Sequence, residues 1–172
     1  MRVLVTAFKP FNKEEKNHSE EILKHIENVS KIVLDVCYDK CYSDLKGELN
    51  LDEFDLIIAL GEARNRKEMM IERYAYNVST CKIPDNLGVL YNDKTIINGG
   101  KDILETNLNI DKFEDKIKVS TDPGRFVCNN LYYHLLYNYP SKSLFIHVPN
   151  CIENEYLSYA LAIMEMIKAL IF

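Results

Sequence analysis

No run of the 172 residues is long and apolar enough to cross a bilayer. The most apolar stretch, Tyr156 to Phe172, is broken by Glu165 and Lys168. It falls short of the ~20 residues that a spanning helix needs, and reads as a core helix closing the domain. At the N-terminus the apolar run Val3 to Phe8 stops at Lys9 and Pro10. A secretory signal needs an apolar region of roughly 7–15 residues and a small-residue cleavage site. Neither is visible, so a cytoplasmic protein away from the membrane is expected. Basic charge is scarce as well: 21 Lys and Arg against 26 Asp and Glu give a net charge of −5. Nothing in that balance holds a phosphate backbone, which argues against nucleic acid as a partner. Repeats and low-complexity segments are missing. The lack of a phosphate-cradling glycine-rich loop puts phosphorylase chemistry last among the enzymatic readings. The five cysteines are odd in number, so reduced thiols are expected rather than a disulfide framework. Cys37 and Cys41 are four apart, but no second Cys or His pair stands at metal-ligand spacing, and no metal site is expected.

What is present is an ordinary globular composition, 47% hydrophobic and 27% charged, enough for one domain spanning 1–172 with a real core. Apolar runs at 2–6, 31–36, 55–60, 116–120 and 143–148 predict strands. Helical periods over 17–28, 42–49, 126–137 and 153–170 lie among them. The passage 62–73 reads as a charged loop, 74–78 as extended, and 79–107 as irregular structure. Strands alternating with helices predict an α/β fold: a three-layer α/β/α sandwich around a mostly parallel or mixed sheet. Sites in such folds gather beyond the carboxyl ends of the strands, here marked by Gly61, Thr121 and Val148.

Cys128 follows a strand and a turn containing Pro123 and Gly124, and it opens the helix over 126–137. Free N–H groups and the helix dipole at such a position favour thiolate over thiol, and the same N–H groups can hold an oxyanion. Taken alone, a buried structural cysteine is the commoner occupant of that position. His147 interrupts the apolar strand SLFIHV and must find a partner. It fits a core histidine bonded to backbone, or a general base if a thiol lies nearby. Glu72 sits in the charged passage, which alone reads as a solvated loop.

Several motifs together resemble the pyroglutamyl-peptidase family of cysteine peptidases. They are Leu4 to Phe11 (LVTAFKPF) with Asn17 and Ser19, Glu72 to Asn77 (ERYAYN), Ile83 to Asn86 (IPDN) with Gly88, Ser120 to Asn129 (STDPGRFVCN), and Phe145 to Pro149 (FIHVP). They stand in the family's order from Leu4 to Pro149. The resemblance implies Cys128 as nucleophile, His147 as base and Glu72 as the residue that orients the base. It implies removal of N-terminal pyroglutamate from peptides, with no metal or organic cofactor, by a homo-oligomer, commonly a tetramer. It also implies a lactam pocket walled by Phe8 and Phe11 with Phe126 and Val127, Asn17 at the entrance and Glu62 near the substrate.

The chain departs from the family pattern at several points. Ala7 replaces a Gly, and Asn12 and Lys13 replace a Gly pair. Lys82 replaces an Arg. The family's G-Q-A-G-G-R reads Gly61, Glu62, Ala63, Arg64, Asn65, Arg66. Losing two glycines there removes easy access to positive φ and predicts a different path for the loop. Glu62 accepts but does not donate where an amide would do both. Two other functions therefore stay open: a related thiol amidase with a different substrate, and a catalytically silent relative that binds peptides.

Overall fold

The computed structural model of the protein describes residues 1–171. Its strands are β1 (Val3–Phe8), β2 (Ser30–Leu34), β3 (Leu56–Glu62), β4 (Met70–Glu72), β5 (Tyr74–Tyr76), β6 (Val78–Ser79), β7 (Lys94–Thr95), β8 (Ile103–Glu105), β9 (Lys118–Ser120) and β10 (Ser143–Val148). Its α-helices are α1 (His18–Lys24), α2 (Cys41–Glu48), α3 (Val127–Asn138) and α4 (Tyr156–Ile171).

Six strands form one sheet in the order β2-β1-β3-β10-β4-β9. The first four run parallel to one another, β4 is antiparallel to β10, and β9 is parallel to β4. The sheet is mostly parallel with a reversed edge, as expected for the fold class. Every residue of β1, β3 and β10 is buried. That explains why these strands are continuous apolar runs rather than alternating ones: both faces of the sheet are covered. Helices α1 and α4 pack on one face with Val5, Ile58, Leu60, Ile71 and Ile146. On the other face α2 and α3 pack with Leu4, Ile57, Ala59 and Phe145.

Three readings from sequence shift. β1 runs on to Phe8, because its pairing with β2 continues to Leu34. α1 starts one residue after its cap, Asn17, and ends at Lys24 instead of near 28; the turn that follows contains Asn28 at φ 60°. The charged passage conceals a strand. Met70–Glu72 crosses the sheet between β10 and β9, with Ile71 fully buried. Its three residues are too few to show a period beside Arg66, Lys67, Glu68 and Arg73. The irregular stretch also contributes β7 and β8, which pair antiparallel with β6 and β5 outside the main sheet.

Candidate active site

The site lies at the carboxyl ends of β3 and β10. In their parallel register Gly61 is opposite His147, and Ala59 is opposite Phe145. Across the antiparallel pair, Glu72 is opposite Phe145 and Met70 opposite His147. Glu72 and His147 are therefore diagonal neighbours on one face, the face that α3 covers, within reach of long side chains. His147 Nδ1 donates to Glu72 Oε1 at 2.7 Å, and both side chains are buried. This hydrogen bond fixes the ring's orientation and leaves Nε2 as the free nitrogen. The imidazole is held below its usual range, first by burial. Glu72 pulls it back up, and the Arg66 charge presses it down.

Cys128 is the second residue of α3. Its sulfur occupies the room left by the missing side chain of Gly61. A Cβ at 61 would lie 2.8 Å from Cys128 Sγ and 2.7 Å from Phe145 Cζ. Phe145 in turn packs against the His147 ring, with centroids 4.8 Å apart. The sheet face thus brings thiol, imidazole and carboxylate together. Among the described residues no hydrogen bond joins Sγ to the imidazole.

The thiol is pushed up to about 12, by burial first and then by the Glu72 and Glu62 carboxylates; its own backbone N–H and Arg66 act in the opposite sense. Desolvation and the two carboxylates thus act against the helix dipole, which favours thiolate. The helix N-terminus keeps its other capacity. The first backbone bond of the helix runs from Asn130 N to Phe126 O, and Phe126 caps with no side chain. The N–H groups of Val127, Cys128 and Asn129 therefore have no partner within the helix.

Cys128 lines a narrow cleft. Its walls are Phe8, Phe11, Val36, Phe126 and Val127, with Asn17 and Glu62 as the polar members. Phe11 and Phe126 lie with ring centroids 5.9 Å apart. A wider hollow of about 580 Å³ between α2, α3 and the β6–β7 pair does not include the thiol.

Asn17 lines the cleft, and its side chain is also committed to the backbone beside it. Its Oδ1 accepts from Ser19 N at 3.0 Å and Ser19 Oγ at 2.7 Å, and its Nδ2 donates to the Lys9 carbonyl at 3.1 Å. It caps α1 and pins the loop behind Phe8 and Phe11. Glu62 Oε2 accepts from His18 N at 2.9 Å, and Oε1 accepts from Arg64 Nε at 2.9 Å. Arg64 also pairs with Glu14 at 2.8 Å and lies over the Phe11 ring. Neither Arg64 nor Asn65 adopts a positive φ, whereas Asn12 and Lys13 do, at 53° and 63°. Those two side chains sit in backbone that suits glycine, at a cost of roughly 1 kcal/mol each.

Sequence reasoning missed Arg66. Its Nη2 forms an ion pair with Glu72 Oε1 at 2.6 Å, and its side chain is only 16% exposed. Its signal in the sequence was its match to the last residue of the family's G-Q-A-G-G-R; charge pattern alone did not set it apart.

A thiol, an imidazole and a buried carboxylate gathered at the strand ends of an α/β/α sandwich, with free N–H groups beside the thiol, are the parts of a cysteine-type hydrolase. Comparison with known proteins narrows this class. The chain belongs to the pyroglutamyl peptidase family, whose sequence model matches residues 1–166. It is 34% identical over 167 residues to the pyrrolidone-carboxylate peptidase of Thermosipho africanus, covering 87% of this chain and 82% of that one. Its fold is similar to the crystal structure of pyrrolidone carboxyl peptidase from Fervidobacterium islandicum, with a TM-score of 0.85, 27% identity and coverage of 98% of this chain and 99% of that one. It is also similar to pyroglutamyl peptidase I of Bacillus amyloliquefaciens, with a TM-score of 0.81, 26% identity and coverage of 93% and 92%.

Among the described residues no helix is long and apolar enough to cross a membrane. All five cysteines are unpaired.

Proposed function

We propose that this protein is a cysteine exopeptidase that removes N-terminal pyroglutamate, with Cys128 as nucleophile, His147 as base and Glu72 orienting the base. The observation that carries the reading is the cleft: narrow, walled by apolar rings and lined by the Cys128 thiol, with the imidazole–carboxylate pair of His147 and Glu72 on the same sheet face. Such a cleft suits a small, flat, uncharged lactam. Each Glu62 oxygen holds one donor and keeps a free lone pair. Glu62 can therefore accept the lactam N–H.

His147 Nε2 takes the Cys128 proton as sulfur bonds to the carbonyl carbon that joins pyroglutamate to the next residue. The N–H groups opening α3 hold the oxyanion. Collapse breaks the C–N bond, and His147 returns the proton to the leaving amine. Water, deprotonated by the same nitrogen, cleaves the thioester, releases pyroglutamate and restores the thiol. Glu72 keeps Nδ1 protonated throughout. No step calls for a metal or organic cofactor.

The five unpaired thiols support a cytoplasmic setting. A homo-oligomer, tetrameric in keeping with family resemblance, is the proposed assembly, and peptides bearing pyroglutamate are the proposed partners.

A second reading, a thiol amidase with another substrate, is favoured by one feature: the Glu62–Arg64–Glu14 chain of ion pairs at the cleft. Release of a fluorescent amine from a pyroglutamyl amide, by wild type and by Cys128→Ser, separates the readings. Cleavage by wild type alone, with an alanyl amide untouched, supports the proposal. An inactive wild type whose Cys128 is still alkylated by iodoacetamide points to the second reading. Failure of both cleavage and labelling leaves a silent peptide-binding relative.

A further inference from the structure

Arg66 has no part in the three-residue scheme, yet its side chain is heavily committed around it. Besides Glu72, its Nη2 lies 3.1 Å from Ser120 Oγ and donates to the Asp122 carbonyl at 2.8 Å. Glu72 Oε1 takes both this nitrogen and His147 Nδ1, while Glu72 Oε2 and Arg66 Nη1 are buried without partners. A fixed positive charge there opposes a second one on the ring.

The other end of the guanidinium reaches the turn that delivers the nucleophile. Asp122 Oδ1 accepts from Gly124 N at 3.0 Å and from Arg125 Nη1 at 2.6 Å, and the Arg125 carbonyl accepts from Thr80 N at 2.9 Å. This turn leads into α3 three residues before Cys128. One side chain therefore bonds both the acceptor of the acid–base pair and the support of the thiol.

We propose that Arg66 is a positioning residue: it fixes Glu72 Oε1 against His147 Nδ1 and ties that pair to the turn from which Cys128 rises. The proposal rests on the Cys–His–Glu reading but not on the identity of the substrate. The titratable and charged groups around the ring are Glu72 on β4, Arg66 on the loop after β3, and the Cys128 thiol on α3. Glu62 on β3 acts on that thiol.

The test compares wild type, Arg66→Gln and Arg66→Lys. It follows kcat/KM against pH on a pyroglutamyl amide and, on the same proteins, the rate of Cys128 alkylation by iodoacetamide against pH. Arg66→Gln removes the charge, so the acid limb of both profiles should move up by about one pH unit. It should also lower kcat by roughly 10–100-fold through misplacement, with KM little changed. Arg66→Lys keeps the charge but loses the fork. Its acid limb should stay at the wild-type position while kcat falls at least about fivefold. An unmoved acid limb in Arg66→Gln, or a Lys variant with wild-type kcat, overturns the proposal. If the Gln variant does not fold, the Lys variant carries the test alone. If the amide proves not to be a substrate, the alkylation profiles still decide the role of Arg66.

Discussion

Replacing Gly61 with Ala tests the geometry of the site most directly. The new Cβ would lie 2.7 Å and 3.0 Å from two Phe145 ring carbons and 2.8 Å from Cys128 Sγ. Comfortable carbon contacts are about 3.5–4.0 Å, so the ring, the sulfur or both must move by about 1 Å. Phe145 is fully buried between β10 and α3, against Tyr132 with ring centroids 5.6 Å apart. The ring has little room, and the thiol is the freer neighbour. Overpacking of this kind costs about 1–3 kcal/mol. A nucleophile displaced by 1 Å costs roughly 100-fold in kcat.

The assay is a urea midpoint together with kcat and KM on a pyroglutamyl amide. The expected result is a loss of about 1–3 kcal/mol and of roughly 100-fold in kcat, with KM nearly unchanged. Gly47→Ala is the control. Gly47 is exposed within α2 and a Cβ there meets nothing within 4 Å. The same substitution should stabilise by about 0.5–1 kcal/mol and leave kcat alone. A Gly61→Ala enzyme with the wild-type midpoint and kcat would refute the placement of the sulfur against β3.

Two further outcomes are expected. Asn17→Ala should cost about 1–2 kcal/mol in urea unfolding, because it removes the α1 cap and leaves the Ser19 N–H unpaired. KM should rise as the loop bearing Phe8 and Phe11 loosens; an unchanged KM would argue that the loop is held by other contacts. Alkaline pH should destabilise the fold. Burial raises the Cys37, Cys41, Cys128 and Cys151 thiols, the last to about 11. The folded state then keeps protons that unfolded thiols, of pKa about 8.5, release. Stability is full below that pH and falls as pH rises through it, by up to ~1.4 kcal/mol per pH unit for each fully buried thiol. Urea midpoints at pH 7.5 and 9.5 should show a smaller drop for Cys41→Ala than for wild type; equal drops would remove Cys41 as a source.

The catalytic candidates were legible because they sit in motifs whose local geometry is set by local sequence. A Gly turn running into a helix puts Cys128 at the helix N-terminus whatever the rest of the chain does. An apolar strand with one imidazole forces His147 to seek a partner. The long strands β1, β3 and β10 could be read because burial on both faces writes itself as an unbroken apolar run. Glu72 was legible only through the resemblance, since its strand is three residues long in a charged passage.

The remaining features belonged to the tertiary structure. Charge alone cannot say which of Arg64, Arg66, Lys67 and Arg73 reaches Glu72. The position of β4 between β10 and β9 turns Arg66 inward to Glu72, while Arg73 pairs with Glu105 and Glu114 at the surface. The helix dipole favours a thiolate, while desolvation by the packed α3–sheet face and the charges of Glu72 and Glu62 act against it. The approach of Ser19 and Lys9 makes Asn17 a helix cap at the edge of the cleft, which residue type alone does not show. The sequence by itself determined which elements form and which side chains carry chemistry, because periodicity and turn residues act over a few positions. Protonation, pairing and orientation were decided only by the fold, because they depend on charges and surfaces that lie far apart in the chain.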